Sequence, residues 1–282
     1  MYETNLSDAD LEYLRQHFDE TDESRERNVN EIRTWIEENG NFFLARTDYV
    51  WILSFLRGCK YDIEKTKKKI HSHLKLKESA PEWFQNRNPN LPELKELFKV
   101  GVFIPLRERD SENRLVCIVR AGAHNPYKHK QDNVFKISKM ILEAAIQEME
   151  AVTIYGVVVV VDMANVAMGH AIQLTPSRIK KAVTAWENYY VKPKQMNFIK
   201  APSYINVILN VFKSFMSTKL KNRVHIYNDS VPLDTVVEKR ILPKDYGGDG
   251  RNLQELQDYW HEKCLNLTEW FADDEKYKAF SK

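Results

Sequence analysis

Asp162 follows an unbroken valine run, residues 157–161, where α/β enzymes often place a catalytic acid. No histidine, serine or metal-ligand cluster lies near it in the sequence, so a turn or cap is the stronger interpretation. His71 and His73 could ligate a metal, but side chains two positions apart on a helix point to different sides, and we expect both to be solvated. The sequence has no GxxxxGK[ST], GxGxxG, HExxH or GxSxG motif. No reaction or metal site is therefore specified, and an enzyme that uses Asp162 is a minor alternative.

The basic residues form a second pattern. The 282 residues carry a formal net charge of +2, which combines −8 in residues 1–40 with +10 in the remainder. Residues 188–228 contain no Asp or Glu, and such a one-sign segment attracts nucleic acid, phosphate groups or an anionic membrane. Nucleic acid is disfavoured because the segment has six lysines against one arginine, without a recognisable binding motif. The basic residues are Lys192, Lys194, Lys200, Lys213, Lys219, Lys221 and Arg223.

An apolar helical stretch, residues 203–216, lies inside this basic segment. Its periodicity suits a core helix, but its position among lysines also suits a helix at the edge of an anionic bilayer. The residues on its main apolar face are Tyr204, Ile205, Ile208, Phe212, Phe215 and Met216.

The elements that must position these residues change in type along the chain. Capping residues and apolar periodicity predict a bundle of helices up to about residue 85, with Ser7, Asp48 and Asp62 as N-caps. Beyond it, strands at 115–119, 154–161, 196–199 and 224–227 alternate with helices at 132–150, 175–188 and 203–221. This alternation predicts a mostly parallel sheet. We therefore expect an α/β fold class with two parts. The first is a helical region, 1–88, with an acidic segment at 1–24, and the second is an α/β domain with a C-terminal helical extension, 89–282.

Three observations predict an intracellular protein. No segment approaches the ~20 apolar residues that span a bilayer. The N-terminus lacks the basic start and apolar run of a secretory signal. The three cysteines, Cys59, Cys117 and Cys264, form no close pair, which supports neither a disulfide framework nor a zinc site.

Three segments resemble a known family. Residues 48–62, DYVWILSFLRGCKYD, resemble the N-terminal helical motif of the CRAL-TRIO lipid-binding family. Residues 161–176, VDMANVAMGHAIQLTP, and 241–248, ILPKDYGG, resemble that family's lipid-binding domain, especially in its alpha-tocopherol transfer protein branch. The resemblance covers roughly residues 25–260 in the family's order. It implies a helical bundle followed by a mixed-sheet α/β domain with a cavity for one hydrophobic ligand.

The resemblance also assigns residues to a cavity and a gate. A mobile helical gate corresponds to about residues 201–224, which contain the apolar helix above. The cavity-lining positions correspond to Phe135, Ser138, Leu142, Val157, Val161, Leu174, Ala182, Ala185, Trp186, Tyr189 and Val191. Because Trp186 and Tyr189 are bulky, we expect the cavity to differ in shape from a tocopherol site.

A basic cleft beside the gate binds phosphoinositide headgroups in this branch. The residues at its matching positions are Arg57, Lys192, Lys194, Lys219 and Arg223. Cys59 replaces a second basic residue of the N-terminal motif, with Lys60 beside it.

The resulting hypothesis is a cytoplasmic, reversibly membrane-associated and monomeric carrier. It binds one lipophilic molecule, without a cofactor or metal, and transfers it at phosphoinositide-containing membranes. A tocopherol, retinoid, carotenoid, sterol-like molecule or phospholipid all remain open as ligand. The alternatives are a lipid sensor that does not transfer its ligand and an interaction adaptor whose acidic N-terminal residues recruit a partner.

Overall fold

A computed structural model describes residues 4–202, 205–227 and 233–280. Six helices form the N-terminal part: α1 (Asp8–Phe18), α2 (Asp22–Glu38), α3 (Tyr49–Cys59), α4 (Ile63–Ser79), α5 (Pro81–Phe84) and α6 (Pro92–Val100). The predicted caps are confirmed, since the side chains of Ser7, Asp48 and Asp62 each accept a hydrogen bond from the backbone N–H three residues on.

The remaining described residues form the α/β part. Its strands are β1 (Phe103–Pro105), β2 (Leu115–Arg120), β3 (Val157–Asp162), β4 (Pro193–Ile199) and β5 (Val224–Ile226). They form one sheet in the order β1-β2-β3-β4-β5, with β1 antiparallel to β2 and the other pairs parallel. The α/β fold with a mixed sheet is therefore confirmed. Its helices are α7 (Gln131–Glu148), α8 (Val152–Tyr155), α9 (Met168–Gln173), α10 (Pro176–Asn188), α11 (Ile205–Phe215), α12 (Thr218–Lys221), α13 (Leu253–Asn266) and α14 (Thr268–Asp274).

The central strand starts later than predicted. Residues 154 and 155 belong to the short helix α8, and Gly156 then adopts a φ of 81° before β3 begins at Val157. Only a glycine takes this conformation readily, so it marks the change from helix to strand. The β-branched run could not reveal this boundary because Ile154 and Tyr155 suit a strand equally well.

The predicted helix at 203–221 is two helices. Helix α11 ends at Phe215, and Ser217 caps the short helix α12 by accepting a hydrogen bond from the Leu220 N–H. The apolar and the lysine-rich halves of the segment are thus separate elements. Residues 203 and 204 lie outside the described residues.

The N-terminal helices pack directly on the α/β part. Gly58 of α3 lies so close to the chain after α10 that a Cβ there would stand 2.4 Å from the Tyr190 carbonyl oxygen. The Phe55 and Tyr190 rings are 5.2 Å apart, and both belong to one hydrophobic cluster that spans the two parts. The division at residue 88 remains a prediction.

The acidic N-terminal segment is folded against the domain. Leu14 and Phe18 of α1 pack on Ala151 and Ile154 in a separate apolar cluster. Asp10 is 3% exposed and its carboxylate lies 3.3 Å from Nη1 of Arg109. Within the described ranges, no helix combines the length and apolar character needed to cross a bilayer.

Candidate ligand cavity and basic cluster

A cavity of about 230 Å³ lies between one face of the sheet and the helices that cover it. Strands β2, β3 and β4 supply one wall, and helices α7, α9, α10 and α11 contribute the others. Its surface is mainly aliphatic and aromatic, as in sites for apolar small molecules.

Alternation along β3 explains the sheet wall. Val157, Val159 and Val161 line the cavity, whereas Val158 and Val160 pack into a hydrophobic cluster on the opposite face. Successive side chains of a strand point to opposite faces, so one valine run serves both layers.

The structure brings ten of the eleven predicted cavity positions together on the cavity wall. They are Phe135, Ser138, Leu142, Val157, Val161, Leu174, Ala185, Trp186, Tyr189 and Val191. Ala182 does not line it. This alanine is 2% exposed and packs in the apolar cluster that also holds Ile179 and Val183.

Helix α11 closes one side of the cavity. Ile205, Ile208 and Phe212 of the predicted gate reach the lining, and Leu209 joins them. Phe215 is 38% exposed and Met216 is buried outside the cavity wall. Tyr204, the sixth predicted gate residue, lies outside the described residues.

Polar groups in the lining are few. Ser138 Oγ donates to the Val134 carbonyl within α7, at 2.7 Å. His124 is 4% exposed with neither ring nitrogen hydrogen-bonded in the described structure, and burial lowers its pKa to about 4. Lys139 also lines the wall. The sequence could have indicated that Lys139 faces the cavity. It lies four positions after Phe135, on the helical face that includes Ser138 and Leu142.

Arg57, one of the predicted headgroup residues, is buried in an ion-pair network. Its side chain is 1% exposed, with Nη2 2.6 Å from Glu20 Oε1 and Nη1 2.6 Å from Glu150 Oε1. Burial opposes the charge, yet these two carboxylates raise the pKa of the guanidinium. Arg57 therefore joins the acidic N-terminal segment to the domain, and this correction removes it from the set that faces solvent.

The other predicted headgroup residues belong to a larger group. Lys192 interacts electrostatically with Lys65 and Lys69, and Lys194 interacts with Lys60 and Arg223. Lys69 in turn interacts with Lys219 and Arg223. We call this group the basic cluster: Lys60, Lys65, Lys69, Lys192, Lys194, Lys219 and Arg223. Sequence spacing could not reveal this cluster because its members come from two distant regions of the chain, residues 60–69 and 192–223.

Burial and mutual repulsion both disfavour the charged form of lysines in the basic cluster. Burial, with repulsion from Lys69 next, lowers the pKa of Lys192 to about 8. Burial and Arg223 likewise lower the pKa of Lys194. Among the residues described, no member of the cluster forms an ion pair with a carboxylate. The arrangement favours a polyvalent anion, which would relieve this repulsion.

Two other candidate residues have structural roles. Asp162 accepts hydrogen bonds from the Ala164 N–H and the Tyr246 hydroxyl, in keeping with the predicted turn role. His73 is 3% exposed, which corrects the expectation that it is solvated, because its ring packs against Phe55 and Tyr189. No group of His, Cys, Asp and Glu in the described parts of the chain could hold a metal ion.

A mixed sheet with a helix-covered apolar cavity is the architecture of an internal-cavity lipid-binding domain. Residues 99–248 match the CRAL/TRIO domain and residues 21–94 match the Pinta-like UBA domain. The chain belongs to the CRAL/TRIO family.

Its curated relatives include a protein named for the predicted branch of that family. Mouse (Mus musculus) alpha-tocopherol transfer protein-like is 24% identical over 275 residues, 97% of this chain and 79% of that protein. Human (Homo sapiens) clavesin-2 is 22% identical over 248 residues, 87% of this chain and 76% of clavesin-2. The crystal structure of Sfh5 shares the fold with a TM-score of 0.56 at 13% identity, covering 89% of this chain and 98% of Sfh5.

Proposed function

We propose that this protein carries one lipophilic molecule in its cavity and transfers it at membranes that contain phosphoinositides. The observation that carries the proposal is the position of α11. Its side chains Ile205, Ile208 and Phe212 close the cavity, and the lysine-rich segment that follows supplies Lys219 and Arg223 to the basic cluster. Two consecutive helices, α11 and α12, therefore connect access to the ligand with a surface for anions.

Release of the ligand needs a membrane. Burial of each CH₂ group stabilises a bound lipid by about 0.8 kcal/mol, so a long apolar chain leaves very slowly into water. A membrane lowers this cost by receiving the chain as it emerges. Movement of α11 away from the sheet is the step that exposes the cavity.

The basic cluster supplies the attraction to the membrane. A phosphoinositide headgroup carries several phosphate charges, and binding it would neutralise lysines that otherwise repel one another. Lys69 interacts electrostatically with Cys59, the position where the family motif has a basic residue, and so provides a cation in that neighbourhood. Lys69 of α4 thereby compensates for the basic residue that the family motif has at position 59.

The outer side of α11 supplies the contact with lipid. Val207 is 71% exposed and Phe215 is 38% exposed, on a helix without acidic residues. Such side chains can enter the boundary between headgroups and acyl chains while the nearby lysines remain at the surface. Docking thus favours the open position of α11. In this proposal the protein acts as a monomer at the cytoplasmic face of a membrane and catalyses no reaction.

Transfer between vesicles tests this proposal. A fluorescent lipophilic ligand is loaded into the protein, and its arrival in acceptor vesicles with or without phosphatidylinositol bisphosphate is followed by energy transfer. We expect the variant with Lys192→Glu and Lys194→Glu to lose most of the phosphoinositide-dependent acceleration while its ligand affinity is unchanged. A control with Lys95→Glu and Lys99→Glu changes the same net charge at exposed sites on α6 and should transfer normally.

Two results would contradict the proposal. Equal transfer rates in both lysine variants would show that the basic cluster plays no part. A protein that binds the ligand tightly but never delivers it to any vesicle would instead be a lipid sensor.

A further inference from the structure

Lys139 is the only lysine on the cavity wall within the described part of the chain. Its Nζ lies 5.2 Å from the ring centroid of Trp83, 5.4 Å from that of Phe84 and 5.6 Å from that of Tyr189. These distances allow cation–π attraction, which compensates only part of the cost of removing an ammonium group from water.

The nearest acid, Glu143, is already occupied. It follows Lys139 by four positions on α7, but its Oε2 accepts from Nη1 of Arg87 at 2.6 Å. Its Oε1 accepts from the Tyr189 hydroxyl at 2.5 Å. Glu143 therefore attracts Lys139 at a distance without forming an ion pair with it.

The second buried acid is occupied as well. Asp274 Oδ2 accepts from Arg87 Nη2 and from Lys77 Nζ, both at 2.5 Å. Arg87 and Lys77 thus balance the charges of Glu143 and Asp274. In this buried network the charge of Lys139 is the one left without a carboxylate among the described residues.

This unbalanced charge persists near neutral pH. Burial lowers the pKa of Lys139 to about 8, so most molecules still carry the ammonium at pH 7. An apolar ligand that filled the cavity would remove its remaining contact with water and leave the charge unsolvated. A ligand with its own negative group would remove that penalty and gain a charge-assisted hydrogen bond.

We infer that the cavity selects an apolar lipid that ends in a carboxylate, such as a long-chain fatty acid, and that Lys139 pairs with this carboxylate. The inference rests on the proposed carrier function and specifies the class of its ligand. The ester or alcohol of the same chain would bind the same apolar walls but leave the ammonium unpaired.

Equilibrium binding tests the selection directly. The delipidated full-length protein is titrated with oleic acid, methyl oleate and oleyl alcohol below their aggregation limits, and tryptophan fluorescence reports occupancy. We expect oleic acid to bind at least tenfold tighter than methyl oleate, the range of one charge-assisted hydrogen bond. Lys139→Met should abolish this preference, whereas Lys139→Arg should retain part of it.

Lys136→Met provides the matched control. Lys136 lies on the same helix and is 7% exposed, but it donates to the Asn86 carbonyl and does not line the cavity. Its variant should keep the preference for the acid. Thermal unfolding of the ligand-free proteins checks folding, and Lys139→Met should melt at or above the temperature of the wild type because an unpaired charge is removed.

Equal affinities of the wild type for acid and ester would overturn the inference, as would a full preference in Lys139→Met. Neither result depends on vesicles. If the wild type prefers the acid but shows no phosphoinositide-dependent transfer, the result contradicts the proposed carrier function and leaves the inferred ligand class intact.

Discussion

The indole ring of Trp186 stacks on the phenyl ring of Phe212, with ring centroids 5.3 Å apart and planes inclined by 15°. Trp186 belongs to α10 and Phe212 to α11, and both line the cavity. The stack therefore holds the proposed gate helix against a fixed wall of the domain. Aromatic pairs of this kind contribute about 0.5–1.5 kcal/mol beyond the area they bury.

Removal of this stack should speed ligand release. We expect Trp186→Leu to raise the rate of spontaneous release into a cyclodextrin acceptor by roughly two- to tenfold, because the closed position of α11 loses the aromatic contact. Stopped-flow fluorescence of a bound ligand measures this rate. Phe215→Leu, on the same helix but outside the cavity wall, should leave release in the absence of vesicles unchanged. Equal rates in all three proteins would show that the stack does not restrain α11.

Arg57 should be essential for stability. Arg57→Met removes the buried guanidinium that pairs with both Glu20 and Glu150, which costs about 3–5 kcal/mol. Urea unfolding followed by circular dichroism gives this value, and Arg27→Met, at an exposed helical position, serves as the control. A fully stable Arg57→Met protein with weakened phosphoinositide binding would return Arg57 to the headgroup site.

His73 should make the protein less stable in mild acid. Burial, and secondarily the charge of Lys77, lowers the pKa of His73 from 6.5 to about 3. The unfolded chain then binds a proton that the folded protein excludes, so stability is complete above pH 6.5 and falls as the pH drops toward 3. This residue contributes up to about 1.4 kcal/mol per pH unit in that window.

Urea unfolding between pH 4 and 7 measures this dependence. His73→Phe should reduce the slope of unfolding free energy against pH by up to one proton, while His225→Phe, at an exposed ring, should not. An unchanged slope in His73→Phe would show that His73 is protonated in the folded protein.

Gly58 should be required for the contact between the N-terminal helices and the α/β part. A methyl group at this position would meet the Tyr190 carbonyl oxygen at 2.4 Å, and only a backbone shift could relieve the clash. We expect Gly58→Ala to lower the free energy of unfolding by about 1–3 kcal/mol. Gly40→Ala, whose new methyl would lie 3.4 Å from the Glu37 oxygen, should change it much less in the same urea titration. Equal stabilities would mean that α3 can move away from this contact without cost.

Local signals made much of the fold predictable. Ser7, Asp48, Asp62 and Thr175 cap helices because their side chains reach backbone N–H groups within the same turn, which sequence spacing alone encodes. The cavity wall followed from positions shared with a family. The break between α11 and α12 was missed because apolar periodicity continues through Met216, although Ser217 is a residue type that favours an N-cap.

The errors concern long-range pairs. Nothing in the residues around Arg57 indicates that Glu20 and Glu150 will surround it, since these acids lie 37 and 93 positions away in the chain. His73 looked solvated because lysines surround it in sequence, although Phe55 and Tyr189 surround it in space. Such contacts depend on tertiary packing, which residue types and spacing do not specify.

The alternation of valines in β3 has a consequence for how this protein can diverge. Val157, Val159 and Val161 shape the space for the ligand, while Val158 and Val160 hold the opposite layer together. Substitutions at the first set can alter the choice of lipid while the second set preserves folding. Along this six-residue strand, positions where substitution changes the cavity therefore alternate with positions where substitution would disturb the core.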